Sequence, residues 1–285
     1  MRRRLLLNRD FQLLWLGEAL SDIGSQSATV AYPLLVLSLT GSAARAGVVG
    51  LAKWLPLALF SLPAGLLADR VDRKHLMIAC DALRLLGAAS IVLMLLVARP
   101  AYLQILLVAF LDGALFITSY IAERGALRQV VAADQLHDAV ARNEARTFAA
   151  GIVGPSLGGL LFAVARALPF AADAGSFLCS SAAIAATRSR FQAHAASRER
   201  SWRALRRELG EGLRWLRGQP FFRTTALLAA AGNPVYTGFY LLAILLARHH
   251  HASAATIGVM LTIIAAGGLL GAVLAGPLRR RAGAR

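Results

Sequence analysis

The chain has 285 residues, of which 57% are hydrophobic and only 16% are charged, and its mean hydropathy is +0.58. Soluble domains carry about 25% charged residues, so this composition excludes a water-soluble globule, which would need more polar surface. The formal net charge is +16, but its distribution along the chain, described below, gives no reason to expect nucleic acid as a partner.

Apolar residues are grouped in eight segments, each long enough to cross a membrane. A hydrocarbon core of about 30 Å takes roughly 20 helical residues, and a helix satisfies its own backbone polar groups in lipid. The first segment follows a basic start, but polar residues at 8–10 separate the two, which predicts an uncleaved first helix rather than a signal peptide. The predicted spans are 11–39, 46–68, 76–97, 102–121, 139–165, 169–187, 224–247 and 254–278.

The basic residues between these spans predict the orientation of the chain. If the N-terminus is cytoplasmic, the cytoplasmic segments contain 25 Lys and Arg residues, counting Arg142 and Arg146 near the start of the fifth span, and the outer loops contain 4. Lys53 and Arg84 lie inside other spans. Basic residues accumulate on the cytoplasmic side of membrane proteins. We therefore predict a multi-pass protein with a cytoplasmic N-terminus, and the same distribution accounts for the positive net charge.

A long basic segment after the sixth span divides the chain. Over residues 201–219, apolar residues recur at helical spacing and arginines fill other positions, which predicts a basic amphipathic helix. We interpret this helix as part of a linker that rests on the membrane, with lipid sensing or partner docking as the alternative. The predicted domains are a six-helix transmembrane bundle (1–187), a basic cytoplasmic linker with the amphipathic helix (188–220) and the first two helices of an incomplete second bundle (221–285).

The chain also contains an internal repeat. Residues 42–48 and 253–259, which precede the second and eighth spans, are identical at five of seven positions. Both spans end in a short basic segment. A repeat on either side of a basic linker predicts two related helical bundles, which is an architecture of secondary transporters.

The loop after the second span carries the most specific motif. Residues 65–74 read Gly-Leu-Leu-Ala-Asp-Arg-Val-Asp-Arg-Lys and resemble the signature loop of the major facilitator superfamily, with Asp72 in place of its second glycine. The resemblance implies that the loop latches one bundle against the other in the outward-open state. A loop that is basic only to set the topology is the alternative. The residues that match the signature are Gly65, Asp69, Arg70, Arg73 and Lys74.

Other stretches carry the same resemblance. Residues 8–11, 33–35 and 39–42 are similar to the first span of the branch that contains enterobactin exporters and macrolide efflux proteins. Residues 154–159 are similar to the Gly-Pro-x-x-Gly-Gly element of drug–proton antiporters, in which glycines allow close helix packing and proline loosens the backbone. The packing residues predicted from this element are Gly154, Pro155, Gly158 and Gly159.

The resemblance implies a fold and a function. We expect an all-α membrane protein of the major-facilitator type with about eight transmembrane helices, a complete six-helix bundle and two helices of a second. Since the family usually has twelve spans, we expect the chain to be truncated after the eighth helix, to pack less closely over 224–278 than over 11–187, and not to transport by itself. The implied function is proton-coupled export of small amphipathic molecules, of the drug or siderophore type, across the bacterial inner membrane. A non-transporting remnant or a membrane scaffold is the alternative.

Ionisable residues inside the spans require an explanation, because each one raises the free energy of membrane insertion by roughly 2.5–3.5 kcal/mol when it lies at a helix centre. Glu18 and Asp22 are four residues apart in the first span and share a face, and Asp112 has a similar depth in the fourth span. We predict these three residues as proton-coupling carboxylates, with Glu18 nearest the cytoplasmic entrance. A structural ion pair of Asp22 or Asp112 with Lys53 is the alternative.

Two further groups have structural interpretations. Asp81 and Arg84 are three residues apart in the third span, and we predict that they form a structural charge pair that supports the signature loop. Residues 232–234, Gly-Asn-Pro, predict a helix break in the seventh span.

The partners follow from the motifs that the sequence has and lacks. The sequence contains no nucleotide-binding loop of the type G-x-x-x-x-G-K-[ST], so ATP is not expected as an energy source. Three consecutive histidines at 249–251 cannot share one helical face, and we expect no metal site and no cofactor. The expected partners are a small-molecule substrate, protons and membrane lipid.

Overall fold

The structure is a computed structural model that describes residues 5, 7–99, 101–191 and 202–281. Within these residues the chain is helical and contains no strand, which confirms the predicted fold class. A short 3-10 helix, Ala133–Gln135, precedes the fifth long helix. The α-helices of the described residues are α1 (Arg9–Thr40), α2 (Ala43–Arg70), α3 (Arg73–Leu96), α4 (Tyr102–Val130), α5 (Leu136–Val164), α6 (Leu168–Ala185), α7 (Trp202–Gly218), α8 (Pro220–His249) and α9 (Ala254–Arg281).

The helices of the first bundle have the dimensions of membrane spans. Among the described residues, α2, α3, α4, α6 and the segment Ala133–Val164 are long and apolar enough to cross a membrane. Helix α1 has 32 residues, which is about 48 Å at 1.5 Å per residue. Helix α4 continues to Val130, beyond its predicted end at residue 121, so residues 122–130, which the sequence places in a loop, are helical.

Local sequence explains where several helices begin and end. Ser42 caps the start of α2 by accepting a hydrogen bond from the backbone N–H of Arg45, and Ser253 does the same for Thr256 at the start of α9. These serines occupy equivalent positions in the internal repeat, so both copies carry the same helix-start signal. Gly41, which follows α1, has a φ of 64°, a left-handed conformation that glycine adopts without steric cost.

Helix α1 is central in the first bundle. It packs against α5 and α6 and, over a smaller area, against α2, while α2 packs on α4 and α3 packs on both α4 and α6. Apolar side chains fill the two ends of this arrangement. The core at the signature-loop end includes Phe11, Leu14, Met77, Leu127 and Ile184. The core at the opposite end includes Leu35, Ile91, Ile105, Ala109 and Phe170.

The outer surface of the bundle is apolar. Large side chains such as Leu86, Leu107, Leu160 and Leu178 are exposed on it. A contiguous apolar exterior is costly in water but is the expected surface of a protein in lipid. The structure thus places its apolar groups outside as well as in the two cores.

The helices after the linker differ from each other in packing. Helix α9 packs closely on α5, and Ile257 and Leu261 are buried together with Leu34 of α1. The expectation of a loosely packed pair is therefore wrong for α9. In α8, Ile244 is buried in the same cluster, while Leu228 and Leu242 are exposed. Helix α8 is also continuous from Pro220 to His249, so the predicted break at 232–234 is wrong.

Candidate functional site

A layer of charged side chains lies inside the bundle, between the two apolar cores. All six helices of the bundle contribute to it. Its members are buried or nearly buried, and the side chains that form ion pairs are at most 16% exposed. We call it the charged layer. It consists of Glu18 and Asp22 on α1, Lys53 on α2, Asp81 and Arg84 on α3, Asp112 and Glu123 on α4, Arg146 on α5 and Asp173 on α6.

Arg146 is the centre of one half of the charged layer. Its Nε atom donates to Asp22 Oδ2 over 2.9 Å, and its two terminal nitrogens donate to the two oxygens of Glu123 over 2.8 and 3.1 Å. Asn143 adds a 2.8 Å hydrogen bond to Glu123 Oε1. The two-pronged geometry is the strongest form of an arginine–carboxylate pair. One guanidinium therefore joins α1, α4 and α5.

Arg84 is the centre of the other half. Its Nε donates to Asp112 Oδ1 over 2.8 Å and its Nη2 donates to Ser25 Oγ over 2.9 Å. Its guanidinium carbon lies 4.2 Å from the centroid of the Phe177 ring, a cation–π contact from α6. Lys53 Nζ lies 3.2 Å from Asp112 Oδ2. Asp112 thus has one base on each side.

These contacts change the pairing expected from the sequence. Arg84 binds Asp112 on another helix rather than Asp81 on its own, so the predicted Asp81–Arg84 pair is corrected. The alternative that paired Asp112 with Lys53 describes the structure at that position. The reason is geometric. The planar guanidinium of Arg84 can align with a carboxylate on a facing helix, whereas a residue three positions along the same helix need not lie in that alignment.

Asp22 and Ser25 connect the two halves. They are three residues apart on α1, so they lie on the same face. Ser25 accepts from Arg84 and donates to Asp173 Oδ1 over 3.3 Å. Asp22 pairs with Arg146 and also lies within the electrostatic influence of Arg84. Asp22 is therefore the carboxylate that both arginines act on.

Three members of the charged layer were not predicted from the sequence. Glu123 falls in the predicted loop between the fourth and fifth spans, Arg146 lies near the start of the fifth predicted span without a predicted role, and Asp173 lies in an apolar stretch of the sixth. The available signal was helical spacing: Arg142 and Arg146, like Asp22 and Glu18, are one turn apart on helices that α4 could meet. Their burial, at 5% exposed for Arg146 and 3% for Glu123, only follows once the helices are packed.

Glu18 and Asp81 differ from the other carboxylates. Glu18 is 8% exposed and Asp81 is 1% exposed. Glu18 Oε1 and Asp81 Oδ2 are both buried without a hydrogen-bond partner. Glu18 therefore lies inside the bundle with Asp22, rather than at an entrance.

An open cleft of ≈ 170 Å³ reaches the charged layer between α4 and α5. Glu123 and Arg146 are part of its lining, so the Arg146 half of the layer is accessible from this side. The other polar residues of the lining are Tyr120, Arg124, Arg128, Asn143, Glu144 and Thr147.

The signature loop is held by its second basic residue. Arg73 donates to Asp69 Oδ1 over 3.0 Å and to the backbone carbonyl of Gly125 on α4 over 3.2 Å. A Cβ atom at Gly125 would lie 2.6 Å from the Arg73 guanidinium carbon, so any larger residue there would require Arg73 to shift. A glycine at position 65 is expected to let two helices approach closely, but a Cβ there would meet no atom within 4 Å, so that expectation is wrong. Arg70 is the last residue of α2.

Lys74 and Asp10 fasten the end of α6. Lys74 Nζ donates to the carbonyls of Ala185 and Thr187 over 3.0 and 2.8 Å. These are carbonyls that a helix end leaves without intrahelical partners. Asp10, in the first turn of α1, accepts from the backbone N–H and the hydroxyl group of Ser189. The signature loop, the start of α1 and the end of α6 therefore form one connected group.

The Gly-Pro element of α5 faces α1 on one side. A Cβ at Gly154 would overlap the Gln26 side chain, and one at Gly158 would overlap the carbonyl oxygen of Ser27. Ser27 Oγ donates to the Gly154 carbonyl over 3.1 Å. Pro155 lies inside the helix between them. The backbones of α1 and α5 thus meet without intervening side chains.

The same element faces α9 on its other side. A Cβ at Gly159 would lie 2.9 Å from the Cα of Gly258 and would overlap the carbonyl oxygen of Ala254. Ser156 Oγ and Thr262 Oγ1 are hydrogen-bonded at 2.7 Å, and Thr262 Oγ1 also lies 2.7 Å from the Ile152 carbonyl. This glycine seam joins the first bundle to the helix that carries the second copy of the repeat.

Comparison with known proteins places these features in a family. The profile of the family described as "Transmembrane secretion effector" matches residues 5–285. The chain is 30% identical over 263 residues to "Multidrug efflux pump Tap" of Mycolicibacterium fortuitum, covering 88% of this chain and 62% of that protein. It is 27% identical over 156 residues to "Macrolide efflux protein A" of Streptococcus pyogenes, covering 54% of this chain and 38% of that protein.

A solved structure has the same fold. A bacterial homologue of the human lysosomal transporter Spinster, in an inward-facing and unoccupied conformation, matches with a TM-score of 0.70 at 16% identity. The match covers 96% of this chain and 63% of that one. This chain therefore spans a little under two-thirds of the length of the relatives that it matches most fully.

Proposed function

Because this chain belongs to the transmembrane secretion effector family of major-facilitator transporters, we propose that it exports small amphipathic molecules by secondary active transport. Members of such a family move solutes and are not enzymes. The names of the relatives, a multidrug efflux pump and a macrolide efflux protein, support drug-like substrates for this chain too. We place it in the bacterial inner membrane with a cytoplasmic N-terminus, on the distribution of its basic residues.

The observation that carries the proposal is the charged layer. It contains six carboxylates and three bases, all inside a bundle whose exterior is apolar. Intramembrane charges are expensive, so they are kept where they serve a solute or proton pathway. Three ion-paired carboxylates and three bases would suffice for structure alone. The remaining carboxylates support coupling of export to protons.

Within this proposal Asp22 is the main coupling carboxylate. It pairs with Arg146 and lies within the electrostatic influence of Arg84, and the cleft between α4 and α5 gives solvent a route to Arg146. Taking up a proton would release Arg146 to Glu123 alone and weaken the link between α1 and α5. Asp112 has a weaker claim, because Arg84 and Lys53 both hold it in its ionised form. Glu18 is a second candidate.

Alternating access needs contacts that open and close between bundles. The glycine seam between α5 and α9 is suited to sliding, because small residues let backbones approach without interlocking side chains. The signature loop, tied by Arg73 and Lys74 to α4 and α6, is suited to act as a latch at the other end of the pathway. Both assignments are parts of the proposal.

The test is efflux from intact cells. The gene that encodes this chain is expressed in a bacterial strain that lacks its own multidrug pumps, and cells are preloaded with a fluorescent lipophilic drug or a labelled macrolide. We expect faster loss of the compound than from vector-only cells, and a return to the vector rate when a protonophore collapses the proton gradient. Efflux equal to the vector control for every compound tested would contradict export. Efflux that survives the protonophore would contradict proton coupling.

A further inference from the structure

We propose that Thr262 on α9 is a positioning residue for α5, because its hydroxyl group enters the turn of α5 that contains Pro155. In this arrangement the bend of α5 depends on whether α9 is docked against it. The inference goes beyond the proposed function by naming the contact that links the two helices, and it rests on that function only for the use of the bend in transport.

The first argument is the set of hydrogen bonds that Thr262 makes. Its hydroxyl group donates to the backbone carbonyl of Ile152 over 2.7 Å and accepts from the backbone N–H of Ser156 over 3.2 Å. The Ser156 hydroxyl lies 2.7 Å from the same oxygen and is the donor there, since the single hydrogen of the Thr262 hydroxyl is directed at Ile152. A hydroxyl group has one donor and two acceptor positions. All three are therefore used on α5.

The two backbone groups that Thr262 binds are normally partners of each other. Ile152 and Ser156 are four residues apart, and in a regular α-helix the N–H of the later residue donates to the carbonyl of the earlier one. A hydroxyl group that binds both competes with that backbone hydrogen bond. Side chains that enter the hydrogen-bond ladder in this way are a recognised cause of helix bending.

Pro155 weakens the same turn of α5. Proline has no backbone N–H, so the carbonyl of Gly151 loses the donor that it would have at this position of a regular helix. Two successive hydrogen bonds of α5 are thus affected, one by Pro155 and one by Thr262. The turn is therefore the place at which α5 bends most easily.

Gly258 brings the backbone of α9 close enough for this contact. A Cβ atom at Gly258 would lie 2.5 Å from the carbonyl oxygen of Pro155 and 3.2 Å from the Cα of Ser156. Gly258 precedes Thr262 by four residues, so both lie on the face of α9 that meets α5. The approach of the two backbones and the reach of the hydroxyl group thus belong to one contact.

These contacts define two states of the turn. With α9 docked, the Ile152 carbonyl and the Ser156 N–H are both bonded to Thr262. When α9 moves along the glycine seam, the Ser156 N–H can donate to the Ile152 carbonyl, so neither backbone group is left without a partner. The exchange therefore avoids the cost of an unsatisfied polar group inside the membrane.

The bend also acts on the charged layer. Arg146 lies nine residues before Pro155 on α5, and it holds Asp22 of α1 over 2.9 Å. Nine residues span about 14 Å of helix, so a change of about 10° at Pro155 moves Arg146 by about 2 Å. A shift of this size takes an ion pair out of hydrogen-bond distance. The docking of α9 is in this way linked to the Arg146–Asp22 contact.

The inference is tested by distances rather than by transport. The 285-residue chain in lipid nanodiscs carries spin labels at two exposed positions, introduced as Ala141→Cys on α5 and Leu83→Cys on α3. The two native cysteines are first replaced, as Cys80→Ala and Cys179→Ser. Residue 141 lies about 21 Å before Pro155, so a change of about 10° in the bend moves its label by about 4 Å. Pulsed electron paramagnetic resonance measures the distance between the labels.

Four variants of the labelled chain are compared with it. Thr262→Val keeps the shape of threonine without the hydroxyl group, Thr262→Ala removes the whole branch, and Thr262→Ser restores the hydroxyl group. Ser27→Ala is the matched control, because the Ser27 hydroxyl also bonds to the backbone of α5, at the Gly154 carbonyl, but comes from α1. Gel filtration and thermal unfolding establish that each variant is folded.

We expect Thr262→Val and Thr262→Ala to shift the most probable distance by about 4 Å, and Thr262→Ser and Ser27→Ala to leave it unchanged. An unchanged distance in Thr262→Val, or an equal shift in Thr262→Ser or Ser27→Ala, would overturn the inference. So would failure of both Thr262→Val and Thr262→Ala to fold, because Ile152 and Ser156 have each other as partners when the hydroxyl group is absent. The expected shift together with no efflux from wild-type cells would support the inference and contradict the proposed function, so the two failures are distinguishable.

Discussion

Arg146 on α5 and Asp22 on α1 are joined by a 2.9 Å ion pair in the interior of the bundle. The same guanidinium also holds Glu123 of α4, and its own side chain is only 4% exposed. Three helices therefore depend on one positive charge. At this depth the charge of Arg146 is a polar link between the three helices.

Replacing Arg146 with glutamine should destabilise the bundle strongly. The substitution leaves Asp22 and Glu123 buried without their base, and breaking a buried pair in this way typically costs about 3–5 kcal/mol. The stability of Arg146→Lys should lie between those of the wild type and Arg146→Gln, since lysine restores the charge but not the two-pronged contact with Glu123. Thermal unfolding of the purified chain in detergent measures the effect.

The control for this series is Arg128→Gln, at an exposed position on α4. It removes the same charge from the chain without touching the charged layer, so its melting temperature should match that of the wild type. A melting temperature for Arg146→Gln that also matches the wild type would mean that Arg146 does not hold the three helices together.

The charged layer also marks the limit of what the sequence could predict. Hydropathy and positive residues located α1 to α6, because each span carries its own signal. Glu123 falls in a predicted loop, since a window of hydropathy treats a charge as solvated and ends the helix there, and Arg146 lies near the start of the fifth predicted span without a predicted partner. The charges of Glu123 and Arg146 neutralise each other only when α4 and α5 pack side by side in the folded bundle. The same holds for Arg84, whose partner Asp112 is 28 residues away.

The close approach of α1 and α5 gives a prediction that needs no transport assay. Gly158→Ala should destabilise the chain by about 1–3 kcal/mol, the usual cost of overpacking, because the new methyl group would overlap the Ser27 carbonyl on α1. Gly151→Ala on the same helix is the matched control, since a Cβ there meets no atom within 4 Å. The control should be neutral or stabilising by up to about 1 kcal/mol, as alanine is the better helix former. Equal melting temperatures for the two variants would contradict the close approach of α1 and α5.

The contact between Asp10 and the end of α6 predicts a dependence on pH. Asp10 precedes the first predicted span. Burial raises its pKa, but hydrogen bonds from the Ser189 hydroxyl and from the backbone N–H groups of Arg188 and Ser189 outweigh this and hold the pKa below its ordinary value. A carboxyl group whose pKa is lowered by folding stabilises the fold above its unfolded pKa, about 4, and this stabilisation is lost as the pH falls through the folded pKa.

Asp10→Asn should therefore melt at a lower temperature than the wild type near neutral pH, and the gap should close as the pH falls toward about 3. Asp134→Asn, exposed in the 3-10 helix, removes a carboxylate at the same side of the bundle and should show no gap at either pH. A gap for Asp10→Asn that is independent of pH would mean that the ionised form of Asp10 is not what holds Ser189.

The last prediction concerns coupling and rests on the proposed function. Asn at position 22 has nearly the shape of a protonated aspartic acid, so Asp22→Asn should fix the carboxylate in its proton-loaded state. If protonation of Asp22 is the step that converts a proton gradient into export, the variant loses uphill efflux while downhill exchange of substrate across the membrane continues. We expect at least a tenfold loss of proton-driven efflux from preloaded cells, about 1.4 kcal/mol or more of lost coupling, with exchange of labelled for unlabelled drug close to the wild-type rate. The exposed Asp138→Asn variant should retain both activities. Uphill efflux at the wild-type rate in Asp22→Asn would remove Asp22 from the coupling mechanism, and loss of both efflux and exchange in a folded variant would make it a substrate-binding or structural residue instead.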